Sequence, residues 1–136
     1  MTRRYLLDTN AVADLIYHRR GVRPRITTVK ANGAKIGTCP PVIGELFAGA
    51  SASLTKERNL RELDIGLRGL TIWPYHFRES VLFGELWAEL KRLGRPMQVV
   101  DIQLAAVALA LGDCTVITSD KDLNSIPNLQ VENWAS

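Results

Sequence analysis

Four carboxylates lie beside the ends of predicted strands or in the first turns of predicted helices: Asp8, Glu45, Asp101 and Asp120. The first three have apolar neighbours in the sequence. Carboxylates brought together repel one another, and a hard divalent cation such as Mg²⁺ or Mn²⁺ relieves that repulsion by taking oxygen ligands. Such a cation lowers the pKa of a bound water and polarises a phosphate oxygen, and hydrolysis of a phosphodiester needs both effects. The four acids therefore predict metal-assisted phosphodiester cleavage.

Three of the acids also have an alternative interpretation without chemistry. Asp101 is the only charged residue of segment 97–111, and a lone charge in so apolar a helix is costly unless it caps, pairs or binds metal. Capping of a helix N-terminus is the alternative for Asp101 and for Asp8. For Glu45 the alternative is a surface position in the first turns of its helix.

The other residues that commonly do chemistry offer no competing site. His18 and His76 are the only histidines, and both are expected at the surface. Cys39 and Cys114 fall in or beside apolar segments and are expected to be reduced core thiols. These positions do not favour a zinc site, a Ser-His-Asp triad or a Cys-His pair.

Short apolar runs alternate with helical ones, and this alternation predicts the elements that position the acids. Strands are predicted over 4–8, 35–39, 70–73, 114–118 and 128–132. Helices are predicted over 11–17, 25–31, 42–52, 55–67, 77–93 and 99–111, with Pro24 as a break between the first two. The pattern predicts one α/β domain, residues 1–136, with a parallel sheet of four to five strands flanked by helices. Because functional groups gather beyond the carboxyl ends of parallel strands, the four acids are expected to converge there.

The charge distribution predicts a phosphate-rich partner. The 136 residues carry 17 Lys and Arg against 14 Asp and Glu, and no acid falls between Leu15 and Gly44. We expect four arginines of that segment to contact the phosphates of such a partner: Arg19, Arg20, Arg23 and Arg25. A solvated basic face is the alternative. With no apolar run long enough to span a membrane and no signal-peptide pattern at the N-terminus, we expect a cytoplasmic protein.

Five short motifs, in order along nearly the whole chain, resemble those of PIN-domain ribonucleases of the VapC toxin type. They are LLDTN at 6–10, GELFAGA at 44–50, DIQLAAVA at 101–108, TSDKDL at 118–123 and VENW at 131–134. The resemblance implies a PIN fold, a Mg²⁺- or Mn²⁺-dependent endoribonuclease that cuts structured RNA, often transfer RNA, and usually a homodimer. It also implies a small VapB-like antitoxin as a partner.

Residue by residue, the resemblance assigns Asp8, Glu45 and Asp101 to the family's acidic site. Asn10 and Thr118 match polar residues that line it. The fourth acid, also a potential metal ligand, is either Asp120 or Asp122. We favour Asp120 because it stands nearer the end of the fourth strand, two residues after Thr118.

Two rival functions remain. One is a PIN-like module that binds RNA or protein without cleaving it, and the retained acids speak against it. The other is a Mg²⁺-dependent phosphatase, whose second Asp after the first strand is replaced here by Asn10. Two aromatic positions stay open as well: Phe83 and Trp87 belong to the core or to a dimer surface, with the core favoured, and Trp134 is expected to pack on the sheet.

Overall fold

The computed structural model describes residues 2–136, and within them five parallel strands form one sheet in the order β3-β2-β1-β4-β5. The strands are β1 (Arg4–Leu7), β2 (Lys35–Thr38), β3 (Thr71–Ile72), β4 (Cys114–Ile117) and β5 (Gln130–Glu132). The helices are α1 (Thr9–Ile16), α2 (Val22–Ala31), α3 (Pro40–Ser51), α4 (Lys56–Leu67), α5 (Phe77–Arg92) and α6 (Val99–Leu111), with a 3₁₀ turn over Lys121–Ser125. The predicted α/β fold with a parallel sheet is confirmed.

The middle of the sheet is the centre of the core. β1 pairs with β2 on one side and with β4 on the other, and Leu6, Leu7 and Val116 are completely buried. Strands covered on both faces need continuous apolar sequence, which is what these segments have. α6 supplies the other apolar surface, because its residues Leu104 and Ala105 are also fully buried. The acids at the ends of β1 and β4 are therefore attached to the best-packed part of the molecule.

Three helices begin two or three residues earlier than predicted: α1 at Thr9, α2 at Val22 and α3 at Pro40. α1 begins at Thr9 and not at Ala11, because the Asp8 side chain accepts a hydrogen bond from the Ala11 N–H and forms the N-cap. Pro24 does not interrupt a helix. It lies in the first turn of α2, where a helix needs no N–H donor from that residue. The prediction of a break at Pro24 was wrong for that reason.

The sheet edge at β3 depends on the absence of a side chain at Gly37. A Cβ atom there would lie 2.3 Å from the Thr71 carbonyl oxygen and 2.6 Å from the Trp73 ring. Any other residue at this position would push β3 and Trp73 away from β2. Glycine therefore lets the edge strand and the buried Trp73 close over β2.

The aromatic positions and the thiols have clear environments. Cys39 and Cys114 are free and buried, and Trp134 packs against Tyr5 with ring centroids 5.0 Å apart, as predicted. On α5, Phe83 packs against the core, but Trp87 is 45% exposed beside Lys91. The favoured assignment of both aromatics to the core was therefore wrong for Trp87. Among residues 2–136 no helix is long and apolar enough to cross a membrane.

Candidate active site

A polar pocket of about 580 Å³ opens beyond the carboxyl ends of β1 and β4. Five carboxylates line it: Asp8, Glu45, Asp101, Asp120 and Asp122. The remaining lining residues are Thr9, Asn10, Pro96, Met97 and Gln98, so within residues 2–136 no Lys, Arg or His contributes to the wall. The structure thus brings together every acid singled out in the sequence, in a pocket without a protein cation.

Asp8 is fixed by both elements that it joins. Its backbone N–H donates to the Ile117 carbonyl oxygen of β4 at 3.1 Å, and its side-chain Oδ1 accepts from the Ala11 N–H at 2.8 Å. The capping alternative for Asp8 is therefore true, and it coexists with a place in the pocket wall. Burial raises the pKa of the Asp8 carboxyl, and the nearby Asp120 and Asp14 charges add to the rise, while hydrogen bonds from Thr118 and Ala11 oppose it.

Thr118 connects Asp8 to the fourth acid. The Thr118 side chain is buried, and its Oγ1 accepts a hydrogen bond from the Asp120 N–H at 2.9 Å. Its hydroxyl proton is then available to the Asp8 carboxylate, and this hydrogen bond lowers the pKa of Asp8. Asp120 in turn accepts from the Asp122 N–H at 2.9 Å and begins the 3₁₀ turn. Thr118 lies behind the pocket wall and holds two of its acids in place.

Asp101 shows most directly that the acids share one site. It lies in the first turn of α6, where Gln98 is the N-cap residue, so the capping alternative for Asp101 was wrong. Burial raises the pKa of Asp101 to about 6, and repulsion from four carboxylates contributes to the rise. In decreasing order these are Asp120, Asp8, Glu45 and Asp122. Glu45 itself is exposed on α3 at the mouth of the pocket.

The chemistry of these donors fits a hard divalent cation. All five charged groups are carboxylates, and burial together with repulsion among them raises the pKa of Asp101; a bound cation would relieve that repulsion. In the part of the chain that is described, no three acidic, histidine or cysteine side chains are grouped closely enough to hold a metal alone. Mg²⁺ commonly binds through one or two carboxylates and keeps several waters, so the pocket suits an ion with mostly water ligands.

The predicted RNA-contacting arginines lie outside the pocket and differ from one another. Arg19 and Arg20 follow α1 and pair with Asp14 at 3.5 and 2.9 Å. Arg23 donates from Nε and Nη2 to the Leu15 carbonyl oxygen and so caps the C-terminus of α1. The guanidinium of Arg25 lies 5.5 Å from the centroid of the Trp134 ring.

Sequence reasoning missed three residues near the site. Asp14 is only 3% exposed, but it had no motif to single it out. Met97 and Gln98 form the pocket wall that leads into α6. The sequence did offer one signal for these two residues: they directly precede the helix that carries Asp101. Because Asp101 lies in the first turn of that helix, the residues just before the helix lie close to the same pocket.

Comparison with known proteins gives consistent relatives. The PIN domain family model matches residues 5–129. "Ribonuclease VapC2" of Haemophilus influenzae is 30% identical over 131 residues, which cover 96% of this chain and 98% of the relative. A "tRNA(fMet)-specific endonuclease VapC" of Salmonella typhimurium is 27% identical over 132 residues, with 96% and 98% covered. The chain also resembles a solved structure of VapBC2 from Rickettsia felis, which is bound to a DNA fragment from the VapBC2 promoter. The TM-score is 0.88 and the sequence identity is 32%, and the match covers 96% of this chain and 98% of the Rickettsia chain.

Proposed function

The chain belongs to the PIN-domain family and to its VapC ribonucleases, and we propose that it is a Mg²⁺- or Mn²⁺-dependent endoribonuclease toxin that cuts structured RNA in the cytoplasm. One observation carries the metal dependence: five carboxylates line a single pocket to which no protein cation contributes within residues 2–136. A module that only binds RNA would gain nothing from such repulsion, because RNA is itself an anion. The non-cleaving alternative therefore has no support in the pocket.

We assign the acids as follows. Asp8, Glu45 and Asp101 hold the ion directly or through water, and Asp120 supplies a further ligand or orients the attacking water. When bound, the metal supplies Lewis-acid polarisation of the phosphate and a water of lowered pKa. Asp8 is suited to its task because the α1 cap and the bond to β4 fix its orientation before any ligand arrives. Asn10 lies in the wall beside it and offers an amide to orient a water or a phosphate oxygen.

Transfer RNA is the substrate class that we favour. The Salmonella relative is named as specific for initiator transfer RNA, and the net charge of +3 on this chain suits a polyanionic partner. The pocket volume of about 580 Å³ lies in the range of ordinary ligand sites, so we propose that it receives a sugar-phosphate segment of a loop. Structured RNA with an exposed loop presents such a segment without base pairing in the way.

Two protein partners belong to the proposal. The Rickettsia structure contains a toxin–antitoxin assembly, so we propose a VapB-like antitoxin that neutralises this chain. We also propose a homodimer, because α5 exposes apolar side chains that favour contact with another surface: Phe77 is 84% exposed, Val81 48% and Trp87 45%. Mass measurement in solution, with and without the product of an adjacent short reading frame, tests both partners.

The central experiment measures cleavage of an initiator transfer RNA transcript by the purified chain. We expect site-specific cuts in Mg²⁺ or Mn²⁺, none in EDTA, and recovery when the metal is restored. Asp8→Asn should reduce the rate at least about a hundredfold, the usual cost of removing a group that orients the reacting centre. Asn is as good an N-cap as Asp, so the variant should keep its fold and its circular dichroism spectrum.

Asp113→Asn is the matched control. Asp113 is an exposed acid directly before β4, at the opposite end of that strand from Asp120, and it does not line the pocket. The Asp113→Asn variant should cleave the transcript at the wild-type rate. Cleavage in EDTA by the wild type, or undiminished cleavage by folded Asp8→Asn, would contradict the proposed active site.

A further inference from the structure

An ion-pair cluster lies at the C-terminal end of α1, apart from the pocket wall. Asp14 is 3% exposed, and its carboxylate pairs with Arg20 Nε at 2.9 Å and with Arg19 Nε at 3.5 Å. The two arginine side chains are roughly half exposed, at 46% and 57%. A buried acid thus holds two guanidinium groups at the protein surface, and the proposed cleavage mechanism does not use any of the three.

The backbone that carries these arginines is held in an unfavourable conformation. His18 and Arg20 have φ values of 53° and 54°, in the left-handed region that non-glycine residues seldom adopt, and Gly21 follows at 73°. Two hydrogen bonds keep this turn in place. The Arg19 N–H donates to the Asp14 carbonyl oxygen at 2.8 Å, and the Ser136 N–H donates to the Arg20 carbonyl oxygen at 2.9 Å. Strain of this kind persists where the surroundings over-determine the geometry, and it often marks functional segments.

The cluster borders the active-site strand. Asp14 and Arg20 line a narrow cavity together with Thr118 and Ser119, the residues that follow β4. Thr118 is the residue whose hydroxyl accepts from the Asp120 N–H. Arg20 therefore lies beside the segment that leads from β4 to the fourth acid.

The orientation of Arg20 leaves its best phosphate-binding edge free. Its Nε is directed to Asp14, and within residues 2–136 the structure records no hydrogen bond from its Nη atoms. A guanidinium binds phosphate through such paired N–H groups. Arg23 donates through Nε and Nη2 to the Leu15 carbonyl oxygen, so it is anchored to the backbone of α1 and not to a buried carboxylate. Arg19 and Arg20 are therefore the two arginines of the basic segment that a buried acid holds in place.

We propose that Asp14 is a positioning residue that holds Arg20, together with Arg19, as a preset clamp for an RNA phosphate next to the one that is cut. The inference rests on the proposed ribonuclease function and extends it to a substrate-binding site. Presetting matters because an arginine loses conformational freedom when it binds, and an anchored side chain has lost that freedom before the RNA arrives. The clamp acts on binding, so its loss should raise KM and leave kcat nearly unchanged.

Asp14→Asn tests the proposal because two explanations predict opposite signs. The substitution removes one negative charge, so simple electrostatics predicts tighter binding of RNA. Loss of positioning predicts weaker binding, and we expect KM for the transfer RNA transcript to rise about three- to tenfold in Mg²⁺. Asp64→Asn is the matched control. It makes the same charge change and releases Arg68, its partner at 2.7 Å on α4, and its KM should stay at or below the wild-type value.

Arg20→Gln shows whether Asp14 acts through this arginine. The Gln amide can still donate to Asp14, and Arg19 remains as the ion-pair partner of that buried carboxylate, so we expect the Arg20→Gln variant to fold. We expect Arg20→Gln to raise KM and to reduce the slope of log(kcat/KM) against log salt by about 1, the value for one lost phosphate contact. The Asp14→Asn/Arg20→Gln double variant should then resemble Arg20→Gln alone, whereas two independent structural defects would add.

The outcomes separate this proposal from the proposed function. A wild-type chain that neither binds nor cleaves RNA would overturn both. A wild-type chain that cleaves, with Asp14→Asn binding as tightly or more tightly, would overturn the clamp alone. Additive losses in the double variant would have the same consequence. If Asp14→Asn fails to fold, a wild-type KM in Arg20→Gln would by itself overturn the clamp.

Discussion

Two buried carboxylates lie at opposite ends of α1, and their surroundings are reversed. Asp8, 6% exposed, begins the helix and faces other carboxylates across the pocket. Asp14, 3% exposed, lies near its end and faces two guanidinium groups. Both lie in apolar segments of the sequence, but only Asp8 stands in a recognisable motif.

The difference shows that burial alone does not identify a metal-binding acid. A carboxylate paired with arginine has its charge balanced within the protein and needs no further cation. A carboxylate that faces only carboxylates can be balanced only from outside, by a metal or by a proton. The sign of the neighbouring charges therefore separates the two acids, and on this ground we propose that Asp8 takes part in the chemistry and that Asp14 positions arginines.

The largest expected effect tests which acids belong with Asp8. Asp120 is the strongest of the repelling charges on Asp101, and Asp122 is the weakest. We expect Asp120→Asn to lower kcat about a hundredfold, and Asp122→Asn to lower it less than about tenfold. Single-turnover cleavage of the transfer RNA transcript in Mg²⁺ measures both. An equal loss in the two variants would mean that the pocket has no favoured fourth acid.

A second test concerns stability without metal, where the two ends of α1 should respond with opposite sign. In EDTA at pH 7, Asp8→Asn removes a buried, repelled charge and keeps the cap, so the free energy of unfolding should rise by about 1 kcal/mol. Asp14→Asn weakens hydrogen bonds to charged groups and should lower it by about 1–3 kcal/mol. Urea unfolding followed by circular dichroism gives both values. If the free energy of unfolding changes with the same sign in both variants, the two acids do not differ in the way that we infer.

The smallest expected effect is a pH dependence of the free energy of unfolding, and it comes from the acids that line the pocket. The pKa of Asp101 is raised from 3.8 to about 6, so between these values the folded chain binds more protons than the unfolded chain. In EDTA the free energy of unfolding should therefore fall as pH rises from about 4 to about 6. Because Asp101 is half exposed, we expect a fall of about 1 kcal/mol from this residue.

Asp101→Asn provides the comparison for that measurement. Its urea-unfolding free energy should depend less on pH over the same range, and a remaining slope of the same sign is expected from Asp8, whose pKa is also raised. At pH 7, added Mg²⁺ should stabilise the wild type more than the variant, because the metal binds the ionised carboxylates of the folded state. Wild-type stability that rises with pH in EDTA would contradict the repulsive pocket.

Much of the fold followed from local sequence patterns. The apolar runs at β1 and β4 and the long apolar segment of α6 were placed almost to the residue, because each is long or strongly patterned. The start of α1 was misplaced because the pattern does not show which polar residue caps the helix. Pro24 was misjudged because proline both ends helices and occupies their first turn.

The sequence by itself determined which elements form and that acids stand at strand ends and in the first turns of helices. The family motifs then indicated which of those acids matter. Only the tertiary structure decided how the charges pair. The sheet order places β4 beside β1, so Asp120 comes close to Asp8 and Asp101, while the turn after α1 folds back to give Asp14 two arginines. Electrostatic energy depends on distances through space, and those distances between residues far apart in sequence are set only when the elements pack.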